Sequence, residues 1–112
     1  MTKLAKICML TMVMLLSACA SWAGWSHENF EHNYGGQVGK RADDPLTSIA
    51  RYPQKIVAER ILPNGSKEIE LLHAVSRVDG TKCVVFYEVD PKTNVIVAWR
   101  YEGNEQVCYW GP

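Results

Sequence analysis

The second half of the chain consists of short apolar or alternating runs separated by turn residues, a pattern typical of an antiparallel sheet. Five strand-like runs are present, the last of them short: 56–62, 67–76, 83–89, 95–101 and 106–110. Asn64-Gly65 separates the first two runs and is a strong hairpin signal. The third run is almost continuously apolar, as expected of a central strand. Because every connection is short, the runs should pair as an antiparallel meander of three to five strands.

Period-two alternation assigns the side chains of these runs to the two faces of the sheet. One face of the second run is an apolar row with a single polar member: Ile69, Leu71, His73 and Val75. No set of catalytic partners accompanies that histidine, which favours a partly buried, hydrogen-bonded residue over a catalytic one. One face of the fourth run carries its largest side chains: Val95, Val97, Trp99 and Tyr101.

A short amphipathic helix is predicted just before the first strand-like run. Asp44 can cap it, and Pro45 suits its first position, where the missing N–H costs no hydrogen bond. Its apolar stripe follows the spacing of a core-facing helix: Leu46, Ile49 and Ala50. Tyr52-Pro53 ends it, because proline disfavours helical geometry in the residue before it. The expected fold is therefore α+β, a short helix on one face of the sheet. The other face should be solvated, bound to a partner or turned towards the N-terminal segment.

The N-terminus has the charged, apolar and small-residue order of a secretory signal. Its apolar run over residues 7–16 is shorter than the ~20 residues that a membrane-spanning helix needs. The run leads into Leu-Ser-Ala-Cys, ending at Cys19, which resembles the lipobox of bacterial lipoproteins. This resemblance implies removal of residues 1–18 as a signal peptide and attachment of acyl chains such as palmitate to Cys19. The alternative is an ordinary secreted protein cut after Ala20 or Ala23.

Residues 19–40 are predicted to be a flexible tether, and residues 41–112 a small α+β domain. The tether segment is rich in small residues and shows no lasting hydrophobic period. Trp22 and Trp25 are unusual in such a segment. They suit the membrane–water interface next to the acyl chains, or they dock on the domain, and the sequence leaves both options open.

Candidate metal and redox chemistry is sparse. His27 and His32 are five residues apart, not the four that place two zinc ligands on one helical face. Cys83 and Cys108 have no second cysteine or histidine at ligand spacing and no C-x-x-C arrangement. In an exported chain these two cysteines are predicted to form a disulfide, which persists in an oxidising compartment. We expect no cofactor and no metal.

The net charge and the missing catalytic motifs argue against two functions, nucleic-acid binding and catalysis. Removing the signal peptide takes 2 of the 12 basic residues and none of the 12 acidic ones, which leaves a formal charge of about −2. Such a chain has no basic field for nucleic acid, so nucleic-acid binding is not expected. No G-x-S-x-G, no cysteine–histidine arrangement and no ligand cluster is present, so we do not expect an enzyme.

The order of acylated cysteine, tether, short helix, hairpin and strand pair resembles the small periplasm-facing lipoproteins of the SmpA/OmlA type. The likeness covers roughly residues 41–112, including the segment bounded by Cys83 and Cys108. It implies a helical hairpin packed on a three-stranded antiparallel sheet, and a role in outer-membrane assembly or integrity. That family usually has a glycine shortly before the proline that ends its helical part, where this chain has Tyr52-Pro53.

The leading hypothesis is a non-catalytic lipoprotein of the outer membrane, facing the periplasm, that binds or scaffolds an envelope protein complex. Its membrane partner is reached through the acyl chains, and its protein partner through an aromatic patch. That patch is predicted from the late aromatic residues: Tyr101, Tyr109 and Trp110. Trp99 either joins this surface or is the core tryptophan under the helix. The alternative function is a lipoprotein that inhibits a wall-degrading enzyme, or a ligand-binding module, acting through an exposed loop.

Overall fold

The computed structural model describes residues 25–111, so the predicted lipobox and Cys19 lie outside the described residues. Four strands form one antiparallel sheet in the order β1-β2-β3-β4, which is the predicted meander. The strands are β1 (Ile56–Ile61), β2 (Lys67–Val75), β3 (Lys82–Val89) and β4 (Ile96–Glu102). The helical elements are α1 (His27–Gly35), the single-turn α2 (Ser48–Arg51) and a 3₁₀ turn (Pro53–Lys55). The predicted α+β fold is confirmed.

The β1–β2 hairpin closes at the predicted Asn-Gly turn. Gly65 has a φ of 86°, a left-handed conformation that glycine adopts without a steric penalty. The Asn64 side chain accepts from the Ser66 N–H at 3.0 Å and donates to Glu88 at 2.7 Å. The turn is therefore held by its own side chain and tied to β3, which occupies the central position that its apolar run predicts.

A β-bulge in the β3–β4 pair changes which residues of β4 face the core. The register shifts between Glu88 and Val89, which leaves Val97 as the extra residue on β4. Ile96 is fully buried, whereas Val97 is exposed. The predicted apolar row is therefore wrong for Val97, because one extra residue reverses the alternation of side chains. The two aromatic residues of β4 still face the core.

Part of the predicted flexible tether 19–40 forms helix α1. Ser26 caps this helix, since its Oγ accepts from the Asn29 N–H at 3.0 Å. Phe30 and Tyr34 are one helical turn apart, and both are buried in the core. The tether prediction is wrong here, because a capped turn and an i, i+4 aromatic pair outweigh the glycine-rich composition around them.

The predicted helix starts later than its sequence signals suggest. Asp44 makes a local turn rather than a cap, because its carboxylate accepts from the Leu46 N–H at 2.9 Å. Thr47 is the cap, and its hydroxyl oxygen accepts from the Ala50 N–H at 3.3 Å. α2 therefore begins three residues after Pro45. Leu46 and Ala50 are exposed, so the predicted apolar stripe is wrong for these two residues.

The last predicted strand is replaced, in the described chain, by a turn and a single β-bridge. The Cys108 N–H donates to the Asn104 carbonyl at 2.8 Å within that turn. Trp110 and Ser26 then form an antiparallel bridge, and each N–H donates to the carbonyl of the other residue at 3.0 Å. Cys108 is bonded to Cys83, with 5.3 Å between the two Cα atoms. The predicted disulfide is confirmed.

The sheet face away from α1 is covered by its own charged side chains. The Arg100 guanidinium lies 3.8 Å from the centroid of the Phe86 ring, and Arg60 approaches the same ring. The largely buried Glu68 carboxylate pairs with both arginines. Cation–π contacts and charge-assisted hydrogen bonds thus shield an aromatic ring on a face that none of the described helices covers.

Neither edge strand of the sheet, β1 or β4, is a regular and fully open strand. β1 contains a bulge near its start, and Glu59 on this strand forms an ion pair with Lys67 at 3.1 Å. The first half of β4 is covered by an irregular segment. There Ile96 accepts from the Gly39 N–H and donates to the Lys40 carbonyl, both at 2.8 Å.

We expect Phe30→Ala to lower the free energy of unfolding by about 3–5 kcal/mol, because it empties a fully buried aromatic site. Chemical denaturation monitored by circular dichroism measures this change. Glu28→Ala, on the exposed face of the same helix, is the matched control and should change stability by no more than about 0.5 kcal/mol. Equal, small effects of both substitutions would show that α1 is not part of the core.

Candidate functional site

Two histidines hold the C-terminal segment, residues 108–111, against the domain. The Nδ1–H of His27 donates to the Cys108 carbonyl at 2.7 Å. The Nε2–H of His73 donates to the next carbonyl, that of Tyr109, at 2.9 Å. These protonation sites follow from the bonding, since a carbonyl oxygen can only accept. The predicted partly buried, hydrogen-bonded His73 is confirmed, whereas the role of His27 was missed because 81 residues separate it from Cys108.

His27 is placed to carry a proton. Its pKa is raised above the ordinary value of 6.5, mainly by the hydrogen bond to the Cys108 carbonyl and secondarily by Glu31. Its Nε2 lies 2.8 Å from the Glu31 carboxylate and 2.9 Å from the Tyr101 hydroxyl. In the charged state Nε2–H donates to Glu31, and in the neutral state Nε2 accepts from Tyr101. The ring therefore keeps a partner in either state.

His73 has the opposite preference. Burial lowers its pKa below 6.5, so the neutral ring is favoured. Its unprotonated Nδ1 accepts from the Tyr34 hydroxyl at 2.7 Å. Burial also raises the pKa of Tyr34 well above its usual value, which keeps that hydroxyl available as a donor. The chain from Tyr34 through His73 to the Tyr109 carbonyl is thus a fully used, neutral set of hydrogen bonds.

The aromatic side chains of α1 and β4 pack against each other. The ring centroids of Tyr34 and Trp99 are 6.0 Å apart, and those of Phe30 and Tyr101 are 5.2 Å apart. A Cβ atom added to Gly35 would lie 3.3 Å from Trp99 Nε1, so the helix passes directly over this indole. Trp99 is the core tryptophan under a helix, but that helix is α1 rather than the predicted one.

The three residues predicted to bind a partner are in different environments. Tyr101 packs on Phe30 and bonds to His27, away from the other two. Trp110 stacks on the His73 ring at 5.2 Å and is perpendicular to the Tyr34 ring at 5.5 Å. Tyr109 is the most exposed of the three, at 44%. The structure therefore brings Tyr109 and Trp110 together and keeps Tyr101 apart.

Tyr109 and Trp110 line an open groove of about 640 Å³, here called the apolar groove. The described residues that line it include no formally charged side chain: Trp25, His73, Ala74, Val107, Tyr109, Trp110 and Gly111. Trp25 forms the rim with Tyr109, and their rings meet edge to face at 6.1 Å. The sequence did not connect Trp25 with the C-terminal residues, because the Ser26–Trp110 bridge that joins them has no local signal.

A second groove of about 360 Å³, here called the polar groove, shares Trp110 and Gly111 with the apolar groove. Its lining mixes amide, basic and apolar groups: Asn29, His32, Asn33, Gly36, Gln37, Lys40, Leu46, Trp110 and Gly111. Leu46 is 67% exposed there, although it was predicted to face the core. Trp110 and Gly111 therefore form a ridge between an apolar groove and a polar one.

No metal-binding arrangement occurs within residues 25–111, where no three His, Cys, Asp or Glu side chains come together suitably. Across the same residues, every buried side-chain nitrogen and oxygen has a hydrogen-bond partner. The described helices are also all too short or too polar to cross a bilayer. The two grooves are the cavities that the C-terminal segment helps to line.

No family model, curated protein or solved structure matches this chain. The four-stranded sheet with one nine-residue helix also differs from the helical hairpin on three strands that the SmpA/OmlA resemblance implies.

The opposite preferences of the two histidines predict a stability maximum near pH 6.5. Raising the pH through the raised pKa of His27 should lower the free energy of unfolding, because the folded state binds that proton more tightly. Lowering the pH below 6.5 should also destabilise the fold, because His73 is favoured neutral when folded. Denaturant unfolding across a pH series measures both effects.

Substitutions at His27 and at its neighbour Glu31 isolate the contribution of His27 to the pH dependence of stability. His27→Gln should flatten the decline in stability above pH 6.5, and Glu31→Gln should weaken that decline because it removes the carboxylate beside the ring. An alkaline decline that is unchanged in His27→Gln would contradict the assignment.

Proposed function

We propose that this chain is a lipid-anchored protein of the outer membrane, facing the periplasm, that binds or scaffolds an envelope protein complex without catalysing a reaction. One structural observation carries the proposal: the fastened C-terminal segment offers Trp110 and Gly111 as a ridge between two open grooves. The proposed lipid anchor is supported by the Leu-Ser-Ala-Cys sequence that ends at Cys19 and by the small residue Ala20 that follows it.

We assign the protein partner to the polar groove. Protein interfaces combine an apolar or aromatic centre with hydrogen-bonding groups at the rim. Leu46 and Trp110 supply the apolar part of this groove, and the amides of α1 and Lys40 supply the polar part. Of the three residues predicted for partner binding, Trp110 lies in this groove, and the hypothesis for Tyr101 and Tyr109 remains a prediction.

A second function is favoured by one loop. Val78, between β2 and β3, is 95% exposed, the highest value among the exposed large apolar residues of the described chain. Such a loop suits a lipoprotein that blocks a soluble wall-degrading enzyme. Crosslinking in intact envelopes separates the two functions, because a scaffold retains membrane assemblies and an inhibitor retains a soluble enzyme.

We expect Cys19→Ser to abolish anchoring, because the hydroxyl cannot replace the thiol that receives the diacylglycerol. The product should be uncleaved or soluble. Membrane fractionation and intact mass of the product measure this directly. Several acyl chains at ~0.8 kcal/mol per buried methylene make release from the membrane very slow, so the wild-type protein should stay bound. A Cys19→Ser protein that fractionates with membranes as the same mature species would refute the lipobox hypothesis.

We expect Leu46→Ser to abolish the crosslinked envelope complex while leaving the melting temperature nearly unchanged. Its side chain is 67% exposed, so the substitution removes little core packing. Ile61→Ser is the matched control, because Ile61 is 71% exposed and lies outside both grooves. Trp110→Ala is less suitable, since this ring also packs on His73 and Tyr34. Retention of the complex in Leu46→Ser would move the partner away from the polar groove.

A further inference from the structure

The rim of the apolar groove projects two aromatic side chains from the domain. Trp25 is 61% exposed and Tyr109 is 44% exposed, although each has ring contacts that fix its position. A Cβ atom added to Gly111 would lie 3.0 Å from the Trp25 ring, so the indole rests directly on the main chain there. The rim is therefore a pre-formed surface rather than a pair of freely rotating side chains.

The length of chain before Trp25 limits where this rim can lie. Six residue steps separate Trp25 from Cys19. A fully extended chain advances at most about 3.6 Å per residue, so the rim lies within roughly 20 Å of an acylated Cys19. Among the groove residues, Trp25 is the first along the chain, so the linker leads directly to the apolar groove and not to the polar one.

The chemistry of the apolar groove suits the interfacial region of a bilayer. Among residues 25–111, no acidic or basic side chain other than the neutral-favoured His73 lines it, so burial of this lining against lipid desolvates no fixed charge. Tryptophan and tyrosine are enriched at the membrane–water interface, where an apolar ring and a polar N–H or O–H are both accommodated. The polar groove carries a lysine and several amides and lacks this character.

We propose that the apolar groove and its Trp25–Tyr109 rim dock on the interfacial region of the lipid bilayer. This inference rests on the proposed anchor at Cys19. The acyl chains hold the protein at the membrane, and the rim fixes its orientation, so that the polar groove beside Trp110 stays accessible to a protein partner. Because the groove is uncharged, zwitterionic lipid is sufficient and anionic lipid adds little.

The test measures contact of Trp25 with lipid in the full acylated protein, reconstituted into phosphatidylcholine vesicles. Phospholipids brominated on the acyl chain close to the headgroup quench tryptophan emission only at short range. A Trp22→Phe background removes the tryptophan within the linker, and adding Trp25→Phe isolates the contribution of Trp25. We expect brominated lipid to reduce the emission of the protein that retains Trp25, and most of this loss to disappear with Trp25→Phe.

A tryptophan at the far end of the sheet is the matched control. Lys92 lies in the exposed β3–β4 turn, next to the end where Lys67 pairs with Val89. The groove residue Ala74 lies near the opposite end of the same strands. Lys92→Trp, introduced into the Trp22→Phe, Trp25→Phe protein, should be accessible to iodide in water and insensitive to brominated lipid.

Three results would overturn the inference. If the protein floats with the vesicles but Trp25 is not quenched, the anchor stands and the docking is wrong. If Trp25 is shielded from iodide in native envelopes but not in vesicles that contain this protein alone, another protein covers the groove instead of lipid. If the acylation is absent and the protein does not float, the anchor and the docking fall together.

Discussion

The disulfide between Cys83 and Cys108 is the constraint on which the rest of this structure depends. Both cysteines are fully buried, and the bond ties the chain after β4 to the start of the central strand. The chain must pass very close to β3 at this point, since a Cβ atom on Gly103 would lie 2.9 Å from the Lys82 carbonyl oxygen and 3.1 Å from the Cys83 Cα. Gly103 has a φ of 141°, so the glycine is required there for both reasons. Once Cys108 is fixed, its carbonyl and the next one reach the two histidines.

This covalent tie converts a short irregular segment into a shaped surface. A segment of four residues has too few contacts to hold itself on a domain, and its ordering costs conformational entropy. Here the cost is offset by a disulfide, two histidine hydrogen bonds and one β-bridge, all converging on residues 108–110. The side chains that separate the two grooves are held by these main-chain contacts. The shape of the two grooves consequently depends on the path of the main chain as much as on the aromatic side chains.

The sequence predicted the parts of the structure whose signals are local. The Asn64-Gly65 turn and the apolar run of β3 need only neighbouring residues to be recognised, and both were predicted correctly. The bulge at Val97 was not predictable, because it depends on the register against β3. Helix α1 had local signals in Ser26 and the Phe30–Tyr34 spacing, but the polar composition around them concealed its packing. The pairing of Trp25 with Tyr109 depends on contacts across more than 80 residues, which no window on the sequence contains.

The two modified edges of the sheet have a consequence for a protein held on a surface. A chain confined to a membrane meets its own copies far more often than a freely diffusing one, and exposed strands then become templates for intermolecular pairing. The β1 bulge and the Glu59–Lys67 pair disturb one edge, and residues 39–42 occupy the start of the other. The bulge in β1 and the covered first half of β4 therefore shorten the regular strand that a neighbouring copy could extend. If the proposed anchor holds the chain on a membrane, side-by-side copies of the domain are thereby protected from pairing edge to edge along the full length of either strand.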